Sequence, residues 1–417
     1  MKFQMMYALI CALSLSNAQQ ITMGKSEYEV AIFLYDGVEL LDFGGPGEVF
    51  GATEGFHTYT VSVDGKPLTA QGFVQIVPEY SIKYAPDPDI VVYPGGGALA
   101  TSQDPDVLQW IHKQVARGAL QMSVCTGARI LAAAGLLDGL QVTTWHGFTE
   151  KLQEMVPNAQ VLENTRFVDN GAVLTTAGVS AGIDGALRVV ERLKGKDVAL
   201  ATAHYMEYDK WDPQDGFLAY RNPLIQKIQE QGVINALSGP DLPAFYEGEM
   251  KDLAIQFAMD QNYPEAEAIL QLVTKAYPYS VTTFAALSQV FASQDKYSPL
   301  TEEALFELLK EGKLDEAIDA YHQARKIYPS WVMFREGYMN WAGYRLLQKE
   351  QFQDAIRLFT LNAEAYPGSP NVWDSLAEAY LKSGDKTNAL VNYRKALQLD
   401  PDMESAAKAV ETINKGL

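Results

Sequence analysis

MSVCTGA, residues 122–128, joins an apolar run directly to the small residues that open a helix. Leu120 to Val124 reads as a buried strand, and Thr126 to Ala134 as a helix that Gly135 ends. Between them stands Cys125. A strand that gives way to a helix at one reactive residue is the layout of a nucleophile elbow, with cysteine in the place of serine. The turn lifts the side chain clear of the sheet and sets the sulfur at a helix N-terminus, where the dipole favours thiolate over thiol. A buried structural cysteine is the competing reading. Because Cys125 follows the strand instead of lying within it, the functional reading is favoured.

Further strands and helices lie to either side. Val30 to Leu34 and Asp89 to Tyr93 are continuous apolar runs, as expected of strands buried on both faces. Thr58–Val63, Phe73–Val77, Gln141–Thr144, Arg166–Asp169 and Ala172–Thr176 read as shorter strands. Glu39 to Phe50 reads as a loop entering a helix. Asp106–Arg117 and Ala181–Leu193 have helical spacing. Alternating strands and helices predict a mostly parallel sheet covered on both faces, with a site at the carboxyl ends of its strands.

Three features are candidates to complete such a site. Asp42 stands between Leu40-Leu41 and the turn Phe43-Gly44-Gly45-Pro46. It reads equally as a general base at a strand end or as a solvated or helix-capping aspartate. Gly95, Gly96 and Gly97 follow a strand, so their N–H groups are candidate oxyanion donors, or the run is a plain turn. His146, 21 residues after Cys125, is a candidate acid–base partner. The other four histidines have no comparable context.

Together these segments resemble the ThiJ/PfpI superfamily, the class I glutamine amidotransferase-like fold. The likeness rests on VAIFLYDGVELLDFGGPGEVF (30–50), DIVVYPGGG (89–97), MSVCTGARILAAAGLLDG (122–139) and TRFVDNGAVLTTAGVSAGIDGAL (165–187). Within the superfamily the pattern is nearest to isonitrile hydratases and to the sensory domains of AraC-type regulators. The resemblance implies a flavodoxin-like α/β sandwich over residues 27–210. It implies a cysteine nucleophile at Cys125 and a carboxylate at Asp42 that moves protons beside it. It also implies a catalytic threonine at Thr126, which supplies a main-chain donor as well, and a backbone-donor loop at Gly95 and Gly96. Asp184 matches a recurring acid read as structural. No cofactor and no metal are implied, and a homodimer is compatible with the family. Two departures stand out. The histidine of Thr144-Trp145-His146 is displaced by one position from the family's pattern, which on a strand turns it to the other face. Thr126 stands where the PfpI-type proteases carry a histidine, which argues against peptidase activity.

The chain has 417 residues, so one core is improbable and more than one domain is expected. Residues 1–18 (MKFQMMYALICALSLSNA) have the pattern of a secretory signal peptide, with cleavage after Ala18 and Cys11 leaving with it. The expectation is an exported, periplasmic or secreted protein with no membrane span after cleavage. Residues 211–246 read as a linker. Residues 247–417 read as an all-α solenoid of tetratricopeptide-like repeats. Trp373, Leu376, Ala377, Tyr380, Ala389, Tyr393, Ala396 and Pro401 fall at the offsets of a 34-residue unit. Gly343, Ala355, Phe359 and Pro367 repeat them one unit earlier. Ala317, Tyr321, Ala324 and Pro329 mark a half-unit. Leu253, Ala254, Phe257, Ala266, Leu270 and Pro278 mark another. The segment 281–311 is irregular, and Glu302–Lys310 reads as an inserted helix.

The formal net charge is −19, with −8 of it in residues 247–417. Acidity spread over both halves disfavours nucleic acid and anionic membrane surfaces as partners. Two functions follow. One is an exported, cofactor-independent cysteine hydratase or hydrolase on a small electrophile, with a protein or peptide partner on the repeats. The other is a non-catalytic ligand or redox sensor that uses the repeats as a scaffold.

Overall fold

The computed structural model describes residues 25, 27–220, 222–238 and 242–415. The expected signal segment and Cys11 lie outside the described residues. Two compact units are present, residues 1–269 and 270–417.

The first unit is built on an eight-stranded sheet. In chain order its elements are β1 (Tyr28–Phe33), α1 (Leu40–Ala52), β2 (Phe56–Ser62), β3 (Leu68–Ala70), β4 (Val74–Ile76), β5 (Tyr80–Ser81) and β6 (Ile90–Tyr93). Then come α2 (Ala98–Thr101), α3 (Pro105–Ala116), β7 (Leu120–Val124), α4 (Ala128–Ala133), β8 (Gln141–Val142), α5 (Thr149–Met155) and β9 (Gln160–Val161). The unit continues with β10 (Phe167–Asp169), β11 (Val173–Thr176), α6 (Ala181–Lys194), α7 (Lys196–Tyr205), β12 (Phe217–Leu218), α8 (Pro223–Gln231), α9 (Val233–Leu237) and α10 (Glu247–Met259). The sheet order is β12-β10-β11-β7-β6-β1-β2-β5, parallel throughout except between β10 and β11. β1, β6 and β7 sit at the centre; β6 is apolar on both faces, whereas β7 buries Leu120, Met122 and Val124 on one face and the polar Gln121 and Ser123 on the other.

Two segments differ from the sequence expectation. Glu39–Phe50 is not mainly a loop, because Leu40–Ala52 is helical throughout. It carries Gly44, Gly45, Gly47, Gly51 and an interior Pro46. Each glycine costs a helix about 0.5–1 kcal/mol, and the proline removes the N–H that would bond to the Asp42 carbonyl. Intrinsic preference therefore opposes this helix, and packing holds it: Gly45 lies against Ile183 of α6, and Val49 and Phe50 are fully buried. Residues 211–246 are also more than a linker. β12 extends the sheet beside β10, and α8 starts on an Asn222 side chain that caps Leu224 N–H at 2.9 Å.

α10, expected to open the repeats, packs against the C-terminal half of α6. Arg188 donates to Asp169 (3.0 Å) and Glu191 (2.9 Å) and lies 3.6 Å from Glu249. The fully buried Arg192 donates to Asp169 at 2.7 Å and spreads over the rings of Tyr246 and Tyr220. Lys251, also buried, reaches the Lys194 carbonyl (3.0 Å) and Asp197 (2.8 Å). An interface this dense in paired buried charge fixes the helix in one register.

The second unit is all helical. α11 (Tyr263–Ala276) runs into it, followed by α12 (Val281–Ala292), α13 (Glu302–Lys310), α14 (Leu314–Ile327), α15 (Glu336–Gln348), α16 (Phe352–Ala365), α17 (Pro370–Lys382), α18 (Lys386–Leu399) and α19 (Glu404–Lys415). The expected offsets are core positions: Ala355, Phe359, Ala377, Ala389, Tyr393 and Ala396 are all buried. At Gly343 an added Cβ would sit 2.5 Å from the Phe359 ring, so α15 and α16 approach as closely as they do only because that position is bare. Glu302–Lys310 is a helix as expected, but not an insertion. It precedes α14 as α15 precedes α16 and thereby completes the half-unit at Ala317–Pro329. The additional helix is Val281–Ala292.

Candidate functional site

Cys125 follows β7 directly and has a positive φ of 58°, a left-handed conformation that costs a non-glycine residue on the order of 1 kcal/mol or more. The strand-to-helix turn is thus real, but its first turn is a 3-10 segment, Cys125–Gly127, and α4 beyond it has only six residues. The Cys125 N–H donates to Ala177 O at 3.1 Å, and the Thr144 hydroxyl donates to Cys125 O at 2.6 Å. These bonds hold the strained residue from both sides.

Asp42 lies in the first turn of α1, not at a strand end, and is 0% exposed. Its side chain does not cap its own helix. It crosses to the loops after β6 and β11: Gly95 N–H donates to Oδ2 at 2.8 Å, and Val179 N–H donates to Oδ1 at 2.9 Å. The remaining neighbour is the Cys125 thiol, close enough for each group to act on the other's proton affinity. Burial pushes Asp42 up to about 6, although the two N–H groups and the thiol oppose the shift.

Burial, and then the charge of Asp42, also pushes the Cys125 thiol up to about 12, against the pull of the Thr126 N–H and hydroxyl. This overturns the expectation of a thiolate favoured by a helix dipole. The sulfur is buried, its neighbour is a carboxylate, and the helix beyond is too short to compensate. Between about pH 6 and 12 the pair therefore retains one proton.

The expected oxyanion donors are already engaged. The Gly95 N–H is bonded to Asp42, the Gly96 N–H to Thr126 Oγ1 at 3.0 Å, and the Gly97 N–H to Gly37 O at 2.9 Å. Gly95 has another role. A Cβ there would lie 2.7 Å from Asp42 Oδ2 and 2.8 Å from both Cys125 Cβ and Thr126 N, so the bare backbone is what lets the three converge. The Tyr35 hydroxyl pins this loop by donating to Pro94 O (2.6 Å) and Gly95 O (2.8 Å). Thr126 orients the loop through Gly96 and sends its N–H toward the sulfur.

His146 is not brought to the pair. It is exposed, opens a 3-10 turn (His146–Phe148), and has its ring against Trp145 with centroids 4.9 Å apart. Among the described residues it has no hydrogen bond to Cys125 or Asp42. The displacement by one position gives the inner place to Trp145, whose indole packs on Gly178 next to the sulfur. Asp184 pairs with Arg166 and accepts from Tyr208 at 2.9 Å, a structural arrangement at the start of α6.

The sequence reading missed Gly178, Val179 and Tyr35. Val179 has a positive φ of 56°, unusual for a β-branched residue, and this conformation aims its N–H at Asp42. The one available signal was the small-residue run Ala177-Gly178-Val179-Ser180 after a strand, the same strand-to-helix pattern found at Cys125. A groove of about 530 Å³ opens beside Gly178 and is lined by Trp145, Thr149, Arg166 and Val179 among others.

Comparison with known proteins places both regions in families. Residues 28–192 match the DJ-1/PfpI family, and residues 370–403 match the tetratricopeptide repeat. The isonitrile hydratase of Pseudomonas putida is 30% identical over 188 residues, which are 45% of this chain and 81% of that protein. The HTH-type transcriptional regulator GbdR of Pseudomonas aeruginosa is 27% identical over 37% of this chain and 42% of the regulator. The crystal structure of a ThiJ/PfpI family protein from Pseudomonas syringae, 31% identical, aligns with a TM-score of 0.42 over 46% of this chain and 80% of that one. By these matches the chain belongs to the DJ-1/PfpI family, with a tetratricopeptide repeat in its C-terminal region.

Proposed function

We propose that the protein is a cysteine-dependent hydratase or hydrolase acting on a small electrophile. The observation that carries this reading is the convergence of Cys125 and the buried Asp42 carboxyl on the bare backbone of Gly95 at the carboxyl edge of the sheet. A thiol that keeps its proton needs a base at the moment of attack, and the carboxylate beside it is that base. With an isocyanide, the substrate class in the name of the Pseudomonas putida relative, Sγ bonds to the terminal carbon while the thiol's proton passes by way of Asp42 to that same carbon, giving a thioimidate. Water then adds to this carbon, its protons going to nitrogen and back to sulfur. The C–S bond breaks, and a formamide leaves with the thiol restored. As written, the cycle uses no metal or organic cofactor.

The test is turnover of a simple alkyl isocyanide to its formamide, followed by NMR. Wild type should produce formamide, and Cys125→Ala should fall to the uncatalysed rate. Turnover that survives Cys125→Ala excludes the reading. The proposal includes export and a protein or peptide partner on the repeats. N-terminal sequencing of extracytoplasmic protein should begin at Gln19, and a start at Met1 would remove export from it.

The same pair supports a second reading. A thiol pushed up to about 12 is a weak resting nucleophile, as expected of a non-catalytic ligand sensor whose repeats act as a scaffold; a redox sensor at the same place would need Asp42 to take the proton first. Cellular function that persists in Cys125→Ala but is lost on disrupting the repeat surface would select it.

A further inference from the structure

Trp145 stands between the sulfur and the groove. A Cβ built on Gly178 would lie 2.7 Å from Trp145 Cδ1 and 3.4 Å from Cys125 Sγ, so indole and thiol flank the same bare stretch of backbone. The groove of about 530 Å³ begins at the indole: Trp145 lines it, and Cys125 does not. The ring fills the space beside Gly178, and no passage leads from groove to sulfur there.

The indole is seated at both ends. At its far edge a Cβ on Gly147 would fall 2.4 Å from Cζ3 and 2.5 Å from Cη2, so both glycines are bare where the ring presses on them. His146 packs its own ring against the same indole. The main chain is fixed as well. The Phe148 N–H donates to Trp145 O at 2.8 Å, and the Thr144 hydroxyl, one residue before the tryptophan, donates to Cys125 O at 2.6 Å. Wall and nucleophile are thereby tied into one piece, and a ring packed this closely has no second place to occupy without displacing its neighbours. The opposite flank of the turn is different. β6 lies on the far side of β7 from β11, and in the loop after β6 Gly96 and Gly97 are exposed, beside a half-buried Thr126.

We propose that Trp145 is a fixed wall that denies the groove to the substrate, so that Cys125 accepts only compact electrophiles arriving past the Gly96 loop. The inference rests on the cysteine chemistry proposed above and narrows its substrate class by size: an electrophilic carbon on a short or slender body, with no bulky group directed toward β11. A small side chain in place of the indole joins thiol and groove into one larger site. Trp145 sets specificity by exclusion and takes no part in bond making.

Two neutral maleimides with the same reactive ring test it on the full chain, with labelling mapped by peptide mass to Cys125. N-methylmaleimide is compact and N-phenylmaleimide is bulky. Rates are normalised to those of free glutathione. Wild type should favour N-methylmaleimide by about tenfold or more, the scale on which a pocket rejects a group it has no room for. Trp145→Ala should speed N-phenylmaleimide by about tenfold or more and N-methylmaleimide less than about threefold. Trp145→Phe, which keeps a smaller ring, should speed N-phenylmaleimide by at least about threefold, and it decides the matter if circular dichroism shows the alanine variant unfolded. No gain for N-phenylmaleimide overturns the proposal. So does an equal gain for both reagents, which marks general loosening. A wild-type Cys125 that resists N-methylmaleimide, or that shows no preference between the two, overturns it as well. Labelling needs no turnover, so the chemistry is judged separately: a protein that labels as expected but hydrates no isocyanide keeps its wall and loses the hydratase reading.

Discussion

Asp42 and Asp169 are both 0% exposed, both lie in the first unit, and their carboxyls are displaced from the ordinary value in opposite directions. Burial pushes each upward. At Asp42 the partners are two N–H groups and a thiol, which fall short, and the carboxyl ends at about 6. At Asp169 the guanidiniums of Arg192 and Arg188 more than offset burial and hold the group below its usual range. A buried carboxylate is therefore not in itself a sign of chemistry. What separates a proton carrier from a structural anchor is whether its neighbours bring full positive charge.

The strongest way to break this contrast is to remove each acid. Asp42→Asn should lower turnover by about 10²–10⁴, the usual contribution of a positioned acid–base group. A smaller loss would move Asp42 to the structural class. Asp169→Ala should cost about 3–5 kcal/mol of stability in denaturant unfolding, because two arginines then stay buried without their shared counter-charge, while turnover per folded molecule holds. If it abolished turnover in well-folded protein, the anchor assignment would fail.

Acid should pull the two further apart. A carboxyl raised in the folded state makes that state bind more protons, so Asp42 adds stability as pH falls through about 6 toward its unfolded value near 3.8. The gain is on the order of 3 kcal/mol, visible as the difference between wild-type and Asp42→Asn stability curves. Asp169 behaves oppositely. Its contribution is present above the ordinary carboxylate range and is lost as pH drops through its depressed value. Curves for Asp42→Asn and Asp169→Asn that deviate from wild type in the same direction would contradict the contrast. The smallest expected effect is at His146. His146→Ala should change kcat/KM less than about twofold, as an exposed side chain remote from the pair would. A loss of tenfold or more would restore the acid–base role its sequence position suggested.

Much of this was legible in the sequence, and the remainder was hidden for physical reasons. Apolar runs at 30–34 and 90–93 announced two central strands because burial on both faces leaves no polar alternation there, and 120–124 was readable as a strand from its place before the Cys125 turn. The repeat offsets announced the solenoid because close helix pairing demands small residues at fixed places. Cys125 and Asp42 were visible as residue types in suggestive settings. α1 was not, since its glycines and proline argue against helix, and only contact with α6 sustains it. The donors to Asp42 were not, since a main-chain N–H has no residue type. The protonated thiol was not, since burial is a property of the assembled molecule. Trp145 was passed over for the histidine beside it, although in the loop after β8 it is the indole that lies against Gly178.

The cluster around Arg188 and Arg192 bears on where this protein can be cut. The segment that matches the DJ-1/PfpI family as a whole runs to residue 192, inside that cluster. Tyr220, Tyr246, Glu249 and Lys251, which pack and pair there, all come later in the chain. A boundary drawn by homology would leave cations facing water where rings and carboxylates now cover them. Anyone transplanting this module to another scaffold would have to carry the sequence through Met259, because side chains from both sides of residue 192 close the end of α6.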